Sequence, residues 1–197
     1  MIILMLAAVT AGTLTAQFSI LPEFIITYTD EITRYMLYLL LLLIGYDIGR
    51  DKNTIRKLLN ADRQAFLIPL GTIAGTLAGG AFAVLFINLS IKDSLAVSAG
   101  FGWYSLSAVI IADAKGADLG SIAFLTNVFR EILSIILIPV LAKYVNPYVS
   151  IAPGGATTMD TTLPIIEKYA GSSAAFIAFL HGFILSSLVP VIVPMFL

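Results

Sequence analysis

Apolar residues in this chain run in long blocks rather than in alternation. Four blocks hold no Asp, Glu, Lys or Arg: Met1–Pro22, Gln64–Ile91, Ser94–Ala112 and Tyr169–Leu197, the last with His181 as its one ionisable group. About 20 apolar residues cross the hydrocarbon layer of a bilayer as a helix. The blocks predict seven membrane segments, at roughly 2–21, 32–49, 64–89, 93–112, 119–143, 149–168 and 172–196. The second is short, with Arg34 and Arg50 free to snorkel from its ends. A closed β-barrel would need period-two alternation, whereas Tyr38–Ile44 (YLLLLLI) is apolar all round. The expected fold is all-α: a polytopic transmembrane bundle of about seven segments forming one domain over residues 1–197. No internal repeat is visible, although inverted repeats leave little trace in sequence.

Composition agrees with the pattern. The 197 residues are 59% hydrophobic and 12% charged, where soluble domains carry about a quarter charged residues; mean hydropathy is +0.98. A net charge of −1 offers nothing to a nucleic acid. The lack of cysteine removes disulfide scaffolds, thiolate zinc sites and cysteine catalysis, and no metal or cofactor motif stands out. No basic residue precedes Arg34, so the first segment reads as a permanent helix, not a leader. Arg50, Lys52, Arg56, Lys57 and Arg63 crowd one loop, which the positive-inside rule makes cytoplasmic. Counting from it places the N-terminus inside and the C-terminus outside a cytoplasmic membrane. Gly71, Gly75 and Gly79, like Ala8, Gly12 and Ala16, recur every four residues; such stripes let helices pack closely in lipid, here chiefly within the chain.

Polar groups at membrane depth are costly and normally face a cavity or a partner. In the fifth segment Asn127, Glu131 and Ser134 share one helical face beside Arg130. A structural Arg130–Glu131 pair would explain the charges. An acid flanked by Asn and Ser also suits a wet cavity, where it could exchange a proton for a cationic substrate. The sixth segment, VSIAPGGATTMDTTLPIIEK, has Pro153-Gly154-Gly155 before Thr157, Thr158 and Asp160, with Pro164 a turn later. That reads as a broken helix whose free amides can meet an anion, with Asp160 as either site residue or N-cap. In the fourth segment, Gly100 and Gly102 precede Trp103, Tyr104, Ser105 and Ser107. This is a second kinked stretch, serving either as a substrate wall or as packing; it fits neither a phosphate loop nor a nucleophile elbow. His181 suits a buried hydrogen-bonding role, and Asp47 beside Arg50 a local ion pair.

Four of these stretches, GFGWYSLS (Gly100–Ser107), NVFRE (Asn127–Glu131), GATTMDTTLP (Gly155–Pro164) and HGFILS (His181–Ser186), together resemble the lysine exporter family called LysO. The resemblance implies export of L-lysine and its toxic analogues from the cytoplasm in exchange for protons, without enzymatic chemistry. It implies an essential pair of intramembrane acids, which by motif fall on Glu131 and Asp160. Two acids for lysine's ammonium groups and a half-helix N-terminus for its carboxylate would complete a site. Longer family members carry additional helices before the matched region. A small membrane subunit, or a second copy of the chain, is therefore an expected partner beside lysine, protons and the bilayer. Two other classes remain open: an intramembrane aspartyl protease pairing Asp47 with Asp160, and a non-transporting subunit of a membrane complex.

Overall fold

A computed structural model describes residues 63–197 continuously, with side chains from Phe66 onward, and scattered positions between 7 and 42. The first two expected segments, most of the basic loop and Asp47 lie outside the described residues. The described elements are α1 (Arg63–Ala83), α2 (Ile91–Ser98), α3 (Tyr104–Lys115), α4 (Ala117–Tyr144), a 3-10 run (Val149–Met159), α5 (Leu163–Ala170), α6 (Ser172–Ile192) and a short 3-10 turn (Val193–Phe196). No strand occurs among the described residues. Three stretches are long and apolar enough to cross a membrane: Phe66–Ala83, Ala117–Tyr144 and Ser172–Phe196. They fall on the third, fifth and seventh expected segments. The fourth and sixth expected segments are each two shorter pieces.

Local chemistry explains both interruptions. Ser90 starts α2 by accepting from the Asp93 amide at 3.1 Å. The helix stops at Ala99, and Phe101 and Gly102 then turn left-handed, with φ of 47° and 96°. A bulky residue at positive φ is uncommon, and α3 begins directly after it. Gly116 (φ 95°) closes the tight turn from α3 into α4, and Lys115 reaches back to Asp93 at 3.2 Å. In the 3-10 run, Gly155 (φ 60°, ψ −130°) splits the helical path in two.

The two interruptions touch. The Ala156 amide donates to the Phe101 carbonyl at 2.8 Å. A Cβ on Gly155 would strike that same carbonyl, and one on Gly102 would sit 3.3 Å from the Gly154 oxygen. Gly182 on α6 is equally constrained, since a side chain there would meet the Met159 amide. Expected close packing along Gly71, Gly75 and Gly79 is absent among the described residues: each is exposed with open space beside it. The contact falls at Gly80, against Ser94 and Ser98 of α2, because that face of α1 is the one turned inward.

The core is layered along the helix axes. One apolar cluster gathers Phe101, Leu106, Ile111, Leu119, Ala123, Leu185 and Val189. A second gathers Ile138, Ile151, Ile166, Ala174, Ile177 and Ala178. Between these two sets along α4 come Asn127, Arg130, Glu131 and Ser134, and between them along α6 comes His181. The 28 residues of α4 span about 42 Å at 1.5 Å per residue, which puts Glu131 near mid-length. The polar residues thus form a middle layer sealed above and below by apolar packing.

Gly155→Ala should lower the stability of the folded protein by at least about 1–3 kcal/mol from backbone strain alone, read as a reduced thermal unfolding temperature in detergent.

Candidate functional site

Glu131 faces a cavity at the crossing of the two interruptions. Its side chain is 1% exposed, and neither carboxylate oxygen has a hydrogen-bond partner among the described residues. Tyr104, 4% exposed, likewise leaves its hydroxyl without a partner among them. Its ring is held edge-on to Phe124 with centroids 5.5 Å apart. Gly102, Trp103, Tyr104 and Ser105 form one wall of the cavity; Thr157, Asp160 and Thr161 form another, with Ser186 from α6. The cavity, open on one side, has a volume of about 60 Å³, room for a few ordered waters. Asp160 is exposed and follows directly on the 3-10 run. Its carboxylate accepts from the Thr161 amide at 2.5 Å, and Thr162, not Asp160, is the N-cap of α5.

Six of the residues singled out in the sequence therefore line one cavity: Glu131, Asp160, Trp103, Tyr104, Ser105 and Thr157. The others have structural employment nearby. Asn127 accepts from the Gly102 amide at 2.7 Å and donates to the Val97 and Ala123 carbonyls at 3.2 and 2.9 Å. It thus satisfies backbone on both sides of the first interruption. Ser107 donates to the Trp103 carbonyl at 2.8 Å.

Arg130 does not neutralise Glu131. Its guanidinium donates to the Pro153 carbonyl (3.0 Å), the Thr76 hydroxyl (3.2 Å) and the Ala152 carbonyl (3.3 Å). These carbonyls close the first half of the 3-10 run, where a helix end carries partial negative charge. Ser134 adds a bond to Pro153 at 2.7 Å. Neighbours on α4 therefore point apart, the cation to a groove with Thr76 and Phe129, the acid to the cavity.

His181 is fully buried between two threonines. Its Nδ1 lies 2.9 Å from the Thr158 hydroxyl and its Nε2 2.9 Å from that of Thr72. Thr158 gives its proton to the Gly155 carbonyl at 2.8 Å. The imidazole Nδ1–H must then be the donor to Thr158, and a neutral ring accepts from Thr72 at Nε2. The histidine links α1, the break and α6 away from the cavity lining.

Sequence reading missed Ser186, Thr161 and Met159. Ser186 stands one turn past Gly182 on the face pressed against the 3-10 run, so i, i+4 spacing from that glycine would have pointed to it. Nothing local marks Thr161 or Met159.

Apolar spans around two crossing interruptions, with a buried acid unpartnered among the described residues, define a polytopic helical membrane protein. Similarity narrows the class. The family described as lysine exporter LysO matches residues 6–197, and the chain belongs to that family. The "Lysine exporter LysO" of Escherichia coli (strain K12) is 34% identical over 169 residues, 86% of this chain and 56% of that protein. A "Putative lysine exporter" of Haemophilus influenzae is 35% identical over 162 residues, 82% of each chain. The chain thus spans little more than half the length of the first relative. No solved structure matches it significantly.

Asn127→Ala orphans the buried Gly102 amide, at a cost of about 1–3 kcal/mol. It should depress thermal stability in detergent clearly. Ser105→Ala, which removes a hydroxyl lacking any partner among the described residues, should leave stability within about 0.5 kcal/mol.

Proposed function

We propose that this chain exports L-lysine and related cationic amino acids from the cytoplasm in exchange for protons, with Glu131 and Asp160 as the alternating sites of proton and substrate. One observation carries the reading: a carboxylate at mid-depth, 1% exposed, with both oxygens unpartnered among the described residues.

A buried ionised carboxylate without a partner costs several kcal/mol. Such a group holds either a proton or a cation. Arg130 is committed to the Ala152 and Pro153 carbonyls, and no basic side chain among the described residues lines the cavity, which leaves room for a cation brought by the substrate. Asp160 in the same cavity adds a second negative charge, and like charges so placed favour a ligand with two positive groups. The ammonium groups of lysine meet that demand. When they leave, protons take their place, and the two events are coupled because neither site is left bare. Membership of the lysine exporter family supports the substrate. The crowded basic residues before α1 support an orientation with that loop in the cytoplasm and the C-terminus outside.

The test is flux of labelled lysine in proteoliposomes under an imposed pH gradient. Glu131→Gln and Asp160→Asn should each cut lysine/proton exchange at least about tenfold, since each removes one charge partner; wild-type exchange in both variants would sink the mechanism. Glu131→Gln should also unfold at the same or a higher temperature than the parent, because it replaces a buried acid that has no hydrogen-bond partner among the described residues with a neutral group of equal shape. Lysine binding should weaken as pH falls, protons and substrate competing for the same oxygens.

A further inference from the structure

The cavity holds two acids and, among the described residues, no basic side chain, yet an amino acid brings a carboxylate with it. The first turn of α3 supplies what could receive one. Trp103, its N-cap, makes no side-chain capping bond, unlike Ser90 at the start of α2. The amides of Tyr104, Ser105 and Leu106 have no partner among the described residues. Two carbonyls that could have served them are engaged: Gly100 by the Trp103 amide at 2.7 Å, and Phe101 by the Ala156 amide at 2.8 Å. This amino end opens on the cavity through Gly102, Trp103, Tyr104 and Ser105.

A second, independent feature points the same way. The Tyr104 hydroxyl lies on a side chain only 4% exposed and finds no acceptor among the described residues. Its ring is fixed by Phe124, so the donor is presented rather than free to turn away. The Glu131 carboxylate stands beside that hydroxyl, with no hydrogen bond of ordinary geometry joining the two.

The other half-helix, expected from the sequence to hold the carboxylate, is unsuited to it. α5 has only eight residues and a proline in its first turn. Its early amides are used: Leu163 donates to the Asp160 carbonyl, and Ile165 and Ile166 to that of Thr162. The Asp160 carboxylate also stands just before it, on the Thr161 amide.

We propose that the amino end of α3 is an anion seat: the Tyr104 and Ser105 amides, with the Tyr104 hydroxyl, receive the α-carboxylate of the substrate while Glu131 and Asp160 receive its ammonium groups. The inference rests on the reading of this cavity as a cationic amino-acid site. It makes that site specific for amino acids over diamines. Free amides at a helix start, where the dipole adds to the hydrogen bonds, favour such a group.

The test uses the purified full chain and displacement of bound labelled L-lysine by unlabelled competitors. 1,5-Diaminopentane keeps both ammonium groups and the chain length but has no carboxylate; lysinamide has the carboxylate neutralised. Both should require at least about tenfold higher concentration than lysine, the loss expected for charge-assisted hydrogen bonds. Tyr104→Phe should weaken lysine severalfold and leave 1,5-diaminopentane unchanged, narrowing the gap between them. Equal displacement by lysine and 1,5-diaminopentane would overturn the anion seat while leaving the cation site standing. Absence of saturable lysine binding would overturn the cavity reading, and the seat with it.

Discussion

The bond from the Ala156 amide to the Phe101 carbonyl joins the two places where the backbone leaves regular helix inside an apolar bundle. A chain that interrupts two helices at membrane depth exposes amides and carbonyls with no water to receive them, and each must be met by the protein. Most of the polar layer serves that requirement. Asn127 serves the first interruption from α4, and Arg130 and Ser134 serve the second from the next turns of the same helix. Thr158, oriented by His181, holds the Gly155 carbonyl. Glycines at 102, 155 and 182 are needed because the strands of backbone approach too closely for a side chain.

Against that background the exceptions stand out. Glu131, Tyr104 and the first amides of α3 have no hydrogen-bond partner among the described residues, and they share one cavity. The fold had a cation within one residue of Glu131 and turned it the other way. An unpaired acid lowers stability, and proteins keep such groups where activity needs them. The arrangement separates the charges: Arg130 is consumed by the carbonyls of the break, while Glu131 and Asp160 face the cavity.

Much of this was legible in the residues. Charge-free blocks longer than a bilayer is thick marked the spans at α1 and α6, and α4 reads as a span because apolar residues surround its Arg130–Glu131 pair on both sides; hydrophobic length depends on no neighbour. Gly100, Gly102 and Pro153–Gly155 marked the interruptions, since those residues weaken helices wherever they sit. Burial cost alone drew attention to Glu131. What local reading could not separate was which polar residues serve the backbone and which face the cavity. Asn127 and Glu131 lie on one face of α4, yet one meets Gly102 and the other meets open space. The small-residue stripe on α1 meets no described neighbour for a related reason: spacing identifies a face that could pack, and only the neighbouring helix shows whether it does.

The sequence by itself therefore determined the class of fold and the positions where helices give way, which follow from transfer energies and backbone preferences of single residues. Tertiary structure alone decided that the two interruptions cross, that Arg130 turns from Glu131 toward the Pro153 carbonyl, and that the free amides belong to α3 and not to α5. Those outcomes depend on which groups from distant segments meet across the bundle. A residue's own chemistry cannot specify its partner.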